Sequence, residues 1–370
     1  MDTQSSRTGP LRGTATIRDL AKPLPLYYSL SMQLVMLVVA VLLVGCSKSK
    51  PAEERVYVSD EDGGSVVVIS TTSDEVVTRI PVGKRPRGLR ISPDGTRLYV
   101  ALSGVPKLAP GADESKAPPA DPSADGVGII DLGSLQLLRK IPGGRDPEVI
   151  DVTGDGKRLW VSNEDAAEAS LVDIDAGKVL RSVPVGKEPE GVTIHPGGKV
   201  VYVANEADNT VSVLDIETGQ PVAQVATGGR PRSIAFTADG ARAFVACETA
   251  HGLTLIDAQT HTKTGDLDLP GDPLIRPMGL VISGDGRTLY ATTGRGKTVH
   301  AIALDEAALR VKTTIADVGV RPWGIGITHK GDKLYTANGP TGDVAAIDAA
   351  TGTVSRHIAI GGSPWGIAVR

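Results

Sequence analysis

The 370-residue sequence predicts an all-β protein, a seven-bladed β-propeller of four-stranded antiparallel blades. Three observations carry this. A proline recurs at Pro86, Pro147, Pro189, Pro231, Pro277, Pro322 and Pro364, at intervals of 42 to 46 residues apart from one of 61. Nine residues after each of the first six stands glycine (Gly95, Gly156, Gly198, Gly240, Gly286, Gly331), and thirteen after stands an aromatic (Tyr99, Trp160, Tyr202, Phe244, Tyr290, Tyr335). The two ends of the repeat array are complementary. Tyr57 opens a unit that lacks a first strand, and Pro364 to Val369 is a first strand with nothing after it. A period in the low forties with four strands per unit is that of a propeller blade.

Within a unit, strand a follows the proline, as in Gly324 to Thr328, and an Asp-Gly type turn leads into strand b. Strand b carries the aromatic, as in Leu98-Tyr99-Val100-Ala101. Strand c ends thirteen residues later, at Asp173, Asp215, Asp257 and Asp348, and strand d closes the unit, as in Arg79 to Gly83. The C-terminal strand is expected to pair with the three N-terminal strands and close the ring, which removes an open seam of unpaired backbone. Composition agrees: 41% hydrophobic residues, 44 glycines and 3% aromatics suit short strands and tight turns. A net charge of −4 with no basic run argues against nucleic acid as a partner. Two cysteines, Cys46 and Cys247, exclude a disulfide framework and a Cys-rich metal site.

Residues 1–46 read as an export signal. Leu34 to Val44 is an apolar run of eleven residues, about 16 Å of helix and about half a bilayer core, so it is a signal h-region and not a span. It ends in Leu43-Val44-Gly45-Cys46, which resembles a bacterial lipobox, with Cys46 as the lipidated residue. Ser47 to Glu54 then forms a tether, and 55–370 the propeller. The expected location is periplasmic, lipid-anchored and at the outer membrane, with contact to the bilayer through the anchor only. Between strands b and c of one blade, residues 103–126 form an insertion rich in Pro, Ala, Asp and Lys, expected as a surface loop.

The units Tyr202-Val203-Ala204-Asn205, Tyr335-Thr336-Ala337-Asn338 and Val211-Ser212-Val213-Leu214-Asp215 resemble the YVTN-type β-propeller repeat over the whole of 55–370. Asp146-Pro147-Glu148, Glu188-Pro189-Glu190-Gly191 and Pro364-Trp365-Gly366 look like the lipoprotein propellers associated with quinone (PQQ)-dependent catabolism in bacteria. The resemblance implies that strand a lines a central channel, and that the d-to-a and b-to-c loops share one face. It also implies an accessory role to a periplasmic redox or transport system.

Two rings of residues fall on that face. Arg85, Arg87, Glu148, Glu190, Arg232, Arg276, Arg321, Trp323 and Trp365 flank the prolines, and Glu164 and Glu206 follow strand b, as do Glu61 and Glu248. One reading is a bipolar pocket in which arginines hold an anion and the tryptophans offer a stacking face. The other is a set of inter-blade salt bridges. Carboxylates among Glu148, Glu190, Glu164 and Glu206 are conceivable metal ligands, but no Asp-x-Asp-x-Asp-Gly loop is present, so neither metal nor cofactor is expected. The six histidines make no His-x-x-x-His pair, and no Gly-x-Ser-x-Gly elbow occurs. Three functions remain open: a monomeric binding or scaffold module for a periplasmic protein or small molecule, a lactonase-like hydrolase using Glu190 or Glu148 with Arg232, and a structural surface protein.

Overall fold

The computed structural model describes residues 53–107, 118–304 and 309–370. The export signal, Cys46 and most of the tether lie outside the described residues, as does the middle of the insertion. The described chain folds into seven four-stranded antiparallel sheets. Blade 1 joins Arg55–Asp60, Ser65–Ser70 and Glu75–Pro81 to the C-terminal Pro364–Val369. Strands a to d of blade 2 are Pro86–Ile91, Arg97–Leu102, Gly126–Asp131 and Gln136–Ile141. Blade 3 comprises Pro147–Val152, Arg158–Asn163, Glu168–Asp173 and Lys178–Pro184, and blade 4 comprises Pro189–Ile194, Val200–Asn205, Thr210–Asp215 and Pro221–Ala226. Blade 5 runs through Pro231–Phe236, Arg242–Cys247, Gly252–Asp257 and Thr262–Asp268. Leu280–Ile282, Thr288–Thr292, Val299–Ala303 and Arg310–Ile315 make blade 6, and Pro322–Ile327, Lys333–Asn338, Asp343–Asp348 and Thr353–Ala359 make blade 7.

The ring closes as the complementary ends require. Val56 pairs with Val369, Tyr57 with Ala368 and Val58 with Ile367. The repeat residues have physical causes. The six turn glycines all sit at φ between 66° and 71°, a left-handed conformation that L side chains resist. Each glycine N–H bonds back to the carbonyl three residues earlier, as Gly95 does to Ser92 and Gly331 to Thr328. The strand b aromatics fill the boundaries between blades, and Trp160, Tyr202, Phe244 and Tyr335 have no exposed surface. One apolar cluster occupies each blade boundary, for example Tyr335, Ala337, Val56 and Val58 between blades 7 and 1.

Blade 6 departs from the pattern. Its strand a starts only at Leu280, three residues past Pro277. A longer link from blade 5 feeds it, and Arg276 and Met278 bond to the carbonyls of Thr293 and Thr292 instead of starting a ladder.

Around the channel the strands a approach one another closely. A Cβ on Gly366 would lie 2.6 Å from the carbonyl oxygen of Arg87, and one on Gly88 would lie 2.8 Å from that of Glu148. Both blockers are backbone, so neither can yield cheaply. Gly366→Ala is therefore expected to destabilise the propeller by about 1–3 kcal/mol through overpacking, read as a lower urea midpoint. An unchanged midpoint would show that the channel wall is looser than these distances require.

Candidate functional site

The residue after each repeating proline points toward the channel mouth, and the seven together make a ring: Arg87, Glu148, Glu190, Arg232, Met278, Trp323 and Trp365 in blades 2 to 7 and then 1. Four of their carbonyls are held by a hydroxyl of the preceding blade. The Ser59 hydroxyl donates to Arg87 O (2.7 Å), Ser162 to Glu190 O (2.5 Å) and Thr292 to Trp323 O (2.8 Å). Around the ring the partners follow by adjacency. Arg87 pairs with Glu148 across blades 2 and 3. Arg232 donates to Glu190 at 2.7 Å across blades 4 and 5. Trp323 and Trp365 face each other with centroids 5.6 Å apart. Arg87 lies 5.2 Å above the Trp365 ring and Arg232 lies 5.3 Å from the Trp323 ring.

A second tier comes from the residues after strand b. Glu61 and Glu164 approach Arg87 at 3.7 and 3.3 Å, and Glu206 and Glu248 close on Arg232. Each buried arginine thus faces three carboxylates. For Glu148, Glu190, Arg232 and Glu206 the sequence left open a bipolar pocket and a set of inter-blade salt bridges. The structure buries them below the mouth, with Glu148 at 0%, Glu190 at 3% and Glu206 at 2% exposure. They are committed to inter-blade ion pairs, because ring positions on neighbouring blades meet at the channel axis. Arg276 stands apart: it is half-buried at the blade 5 and 6 corner, with Nη1 2.9 Å from a ring nitrogen of His251.

Above the ring lies a cavity of about 980 Å³. Arg85, Arg87, Glu164, Arg321, Trp323 and Trp365 line it, together with Lys107 from the insertion. Trp323 and Trp365 also border a smaller space of about 180 Å³ in the channel below, so they form part of the floor between the two. Arg321 lies 4.9 Å from the Trp323 ring and makes no ion pair among the described residues. Burial lowers its pKa, against the opposing pull of Glu248. Arg85 donates to the Val105 carbonyl at 2.7 Å and approaches Glu61 at 3.4 Å. Glu164 is 30% exposed along its side chain. Burial pushes its carboxyl up to about 7, with Arg87 pulling it down and Glu190 and Asp146 pushing further up. A carboxyl poised there takes and returns a proton near neutrality.

Five ring-flanking residues, Arg85, Asp146, Glu188, Arg230 and Arg321, hold φ between 37° and 55°. Such strain costs on the order of 1–3 kcal/mol per residue, and the same corner recurs in five blades. Lys107 was not foreseen as a site residue, since nothing in its loop's composition marks it; it approaches Glu61 at 3.4 Å and Asp62 at 3.2 Å. Cys247 is packed, with Sγ 3.5 Å from Thr254 Oγ1 and its thiol pKa raised by burial.

Comparison with known proteins gives two partial family matches, a YNCE-like beta-propeller over residues 113–198 and a 7-bladed beta-propeller lactonase over 179–272. No curated protein matches the chain. Among solved structures, a putative 6-phosphogluconolactonase from Bacteroides fragilis is 18% identical, covering 88% of this chain and 100% of that one, with a TM-score of 0.71. The periplasmic gluconolactonase of Pseudomonas aeruginosa is 18% identical over 86% of this chain and 99% of that one, with a TM-score of 0.70. A functionally unknown protein from Desulfotomaculum acetoxidans is 18% identical over 85% and 98%, at 0.71. At such identity these likenesses show the fold, and they bear out a seven-bladed propeller.

The ion pairs below the cavity set a stability expectation. Replacing Arg232 by Met leaves Glu190, Glu206 and Glu248 without their shared cation. Loss of one partner of a buried charge pair costs about 3–5 kcal/mol, so Arg232→Met should lower the urea midpoint markedly. Adding Glu190→Gln to it should recover part of the loss.

Proposed function

We propose that this protein is a lactonase-like propeller hydrolase acting on small anionic sugar lactones in the cavity at its channel mouth. The observation that carries the reading is the joint placement of Arg321 and Glu164 in one cavity: a cation without an ion-pair partner among the described residues, and a carboxyl held near neutrality. The partial match to lactonases and the likeness to a gluconolactonase support it over the binding module taken from the sequence alone.

Glu164 accepts a proton from water as the water oxygen bonds to the lactone carbonyl carbon. The ring C–O bond then breaks, and the same proton passes to the leaving alkoxide. Arg321, with Arg85 and Lys107, holds an anionic substituent of the substrate. Trp323 and Trp365 form the floor on which a sugar ring would rest. Glu164 and Arg321 replace Glu148, Glu190 and Arg232 as the working pair, because those three have little or no surface at the cavity.

Lactone hydrolysis followed by acid release, with gluconolactone and its 6-phosphate as substrates, tests the reading. Glu164→Gln should lower kcat/KM by about 10²–10⁴-fold, the usual contribution of a general base, while Arg321→Gln should act chiefly on KM. Turnover unchanged by Glu164→Gln would remove the reading. Saturable binding of these compounds without turnover would leave a binding module.

We also propose that the chain is exported and anchored through a lipid on Cys46, on the strength of the Leu43-Val44-Gly45-Cys46 run. Labelled palmitate should enter the wild-type protein and not the Cys46→Ser variant. Equal labelling of both would overturn this.

A further inference from the structure

Carboxylates outnumber cations on one side of the mouth. Carboxylate oxygens of Asp146, Glu148 and Glu164 lie within 4.8 Å of one another. Arg87 reaches Glu148 through Oε1 and Glu164 through Oε2, which leaves Glu148 Oε2 with no partner among the described residues although the side chain is wholly buried. A second, separate group shows the same deficit. Glu190, from the next blade, accepts from Arg232 through Oε2, and its Oε1 is buried with no hydrogen-bond partner. The three carboxylates of Asp146, Glu148 and Glu164 against the one Arg87 guanidinium leave a formal charge of −2 when all are ionised. Buried carboxylate oxygens without donors are not left so in stable proteins; a cation or a donor meets them.

We propose that Asp146, Glu148 and Glu164 bind a divalent cation of the Ca²⁺ type. All the donors are hard oxygens, the set that Ca²⁺, Mg²⁺ and Mn²⁺ take, with no imidazole or thiolate among them. The three come from a d-to-a corner, the start of strand a and the b-to-c loop of blade 3, an irregular set that Ca²⁺ tolerates and octahedral Mg²⁺ does not. Arg87 stays on Glu148 Oε1 and Glu164, from the blade 2 side. The partly exposed edge of Glu164 leaves a path from the cavity for the ion and its waters.

A consequence for turnover follows, and this part alone rests on the hydrolase reading: an ion held by Glu164 takes that carboxylate away from water, so Ca²⁺ slows hydrolysis. The test uses the full chain, stripped with EDTA and then freed of it, titrated calorimetrically with CaCl2 and with MgCl2. One saturable Ca²⁺ site per chain is expected, tighter than Mg²⁺, and weakened at least tenfold in Asp146→Asn and in Glu164→Gln. The second variant sits at the cavity edge and keeps the test open if the first fails to fold. No saturable Ca²⁺ heat up to about 10 mM, beyond the range of extracellular calcium modules, overturns the site, as does wild-type affinity in both variants. Binding without any lactone turnover leaves the cation site standing and removes the hydrolase reading. Turnover without Ca²⁺ binding does the reverse.

Discussion

The structure depends on how closely seven strands can be brought together around one axis. Strand a of each blade passes close to the next, and in five of the seven blades a side chain at the third position would strike a carbonyl. Five blades meet this with glycine, at Gly88, Gly191, Gly279, Gly324 and Gly366, whose missing Cβ atoms would collide with the backbone of the following blade. The carbonyls so approached belong to Glu148, Arg232, Trp323, Trp365 and Arg87, the very residues whose side chains make the ring. Packing of the channel wall and placement of the ring are one constraint. Hydroxyls of Ser59, Ser162, Ser233 and Thr292 hold four of the ring carbonyls, so the ring is fixed from below before any side chain chooses a partner.

Charge placed on so rigid a ring has an electrostatic consequence. Buried ion pairs repay their desolvation only when geometry is good and every lone pair is met. Arg232 meets that condition in part, with charge-assisted bonds to Glu190 at 2.7 Å and to Glu248 at 2.6 and 2.8 Å, while Glu190 Oε1 has no donor among the described residues. Apolar residues of like volume would hold a channel closed as well as these do, so the charges are poorly explained by stability alone. They are better explained as a field. Burial lifts the Glu164 carboxyl and the negative charge of Glu190 and Asp146 raises it further, while the positive side, at Arg321 and Arg85, faces the same space.

Much of this was legible in the sequence, because a propeller repeats its register. The proline, the turn glycine and the strand b aromatic recur at fixed offsets since each blade solves one geometric problem, and the unmatched ends announced the closure at Val56 and Val369. The ring itself was legible as the residue after each proline. What could not be read was depth. Glu148 and Glu164 look alike in sequence, each beside a repeat landmark, yet one lies at the channel axis and the other at the cavity edge. That difference arises from strand a standing inside strand b. The irregular start of blade 6 was hidden for a related reason: Pro277 keeps the offsets to Gly286 and Tyr290, while the longer link before it shifts where pairing begins.

The two buried arginines sharpen the case for one side of the mouth. Arg87 and Arg232 each sit on strand a, each face three glutamates and each lie by a ring tryptophan. Composition alone would make them equivalent. They differ in what covers them. Over Arg232, Arg230 reaches both Glu206 and Glu248, so both of those carboxylates have a second cation, and the cluster does not line the cavity. Over Arg87 the corresponding cations are Arg85 and Lys107, and both act on Glu61. Among the described residues Glu164 pairs with Arg87 alone, on the open side. The insertion that supplies Lys107 therefore does more than lengthen a loop. By engaging Glu61 it lets one of two similar clusters keep a carboxyl that faces the cavity, and reactivity is to be sought at that cluster and not at its counterpart.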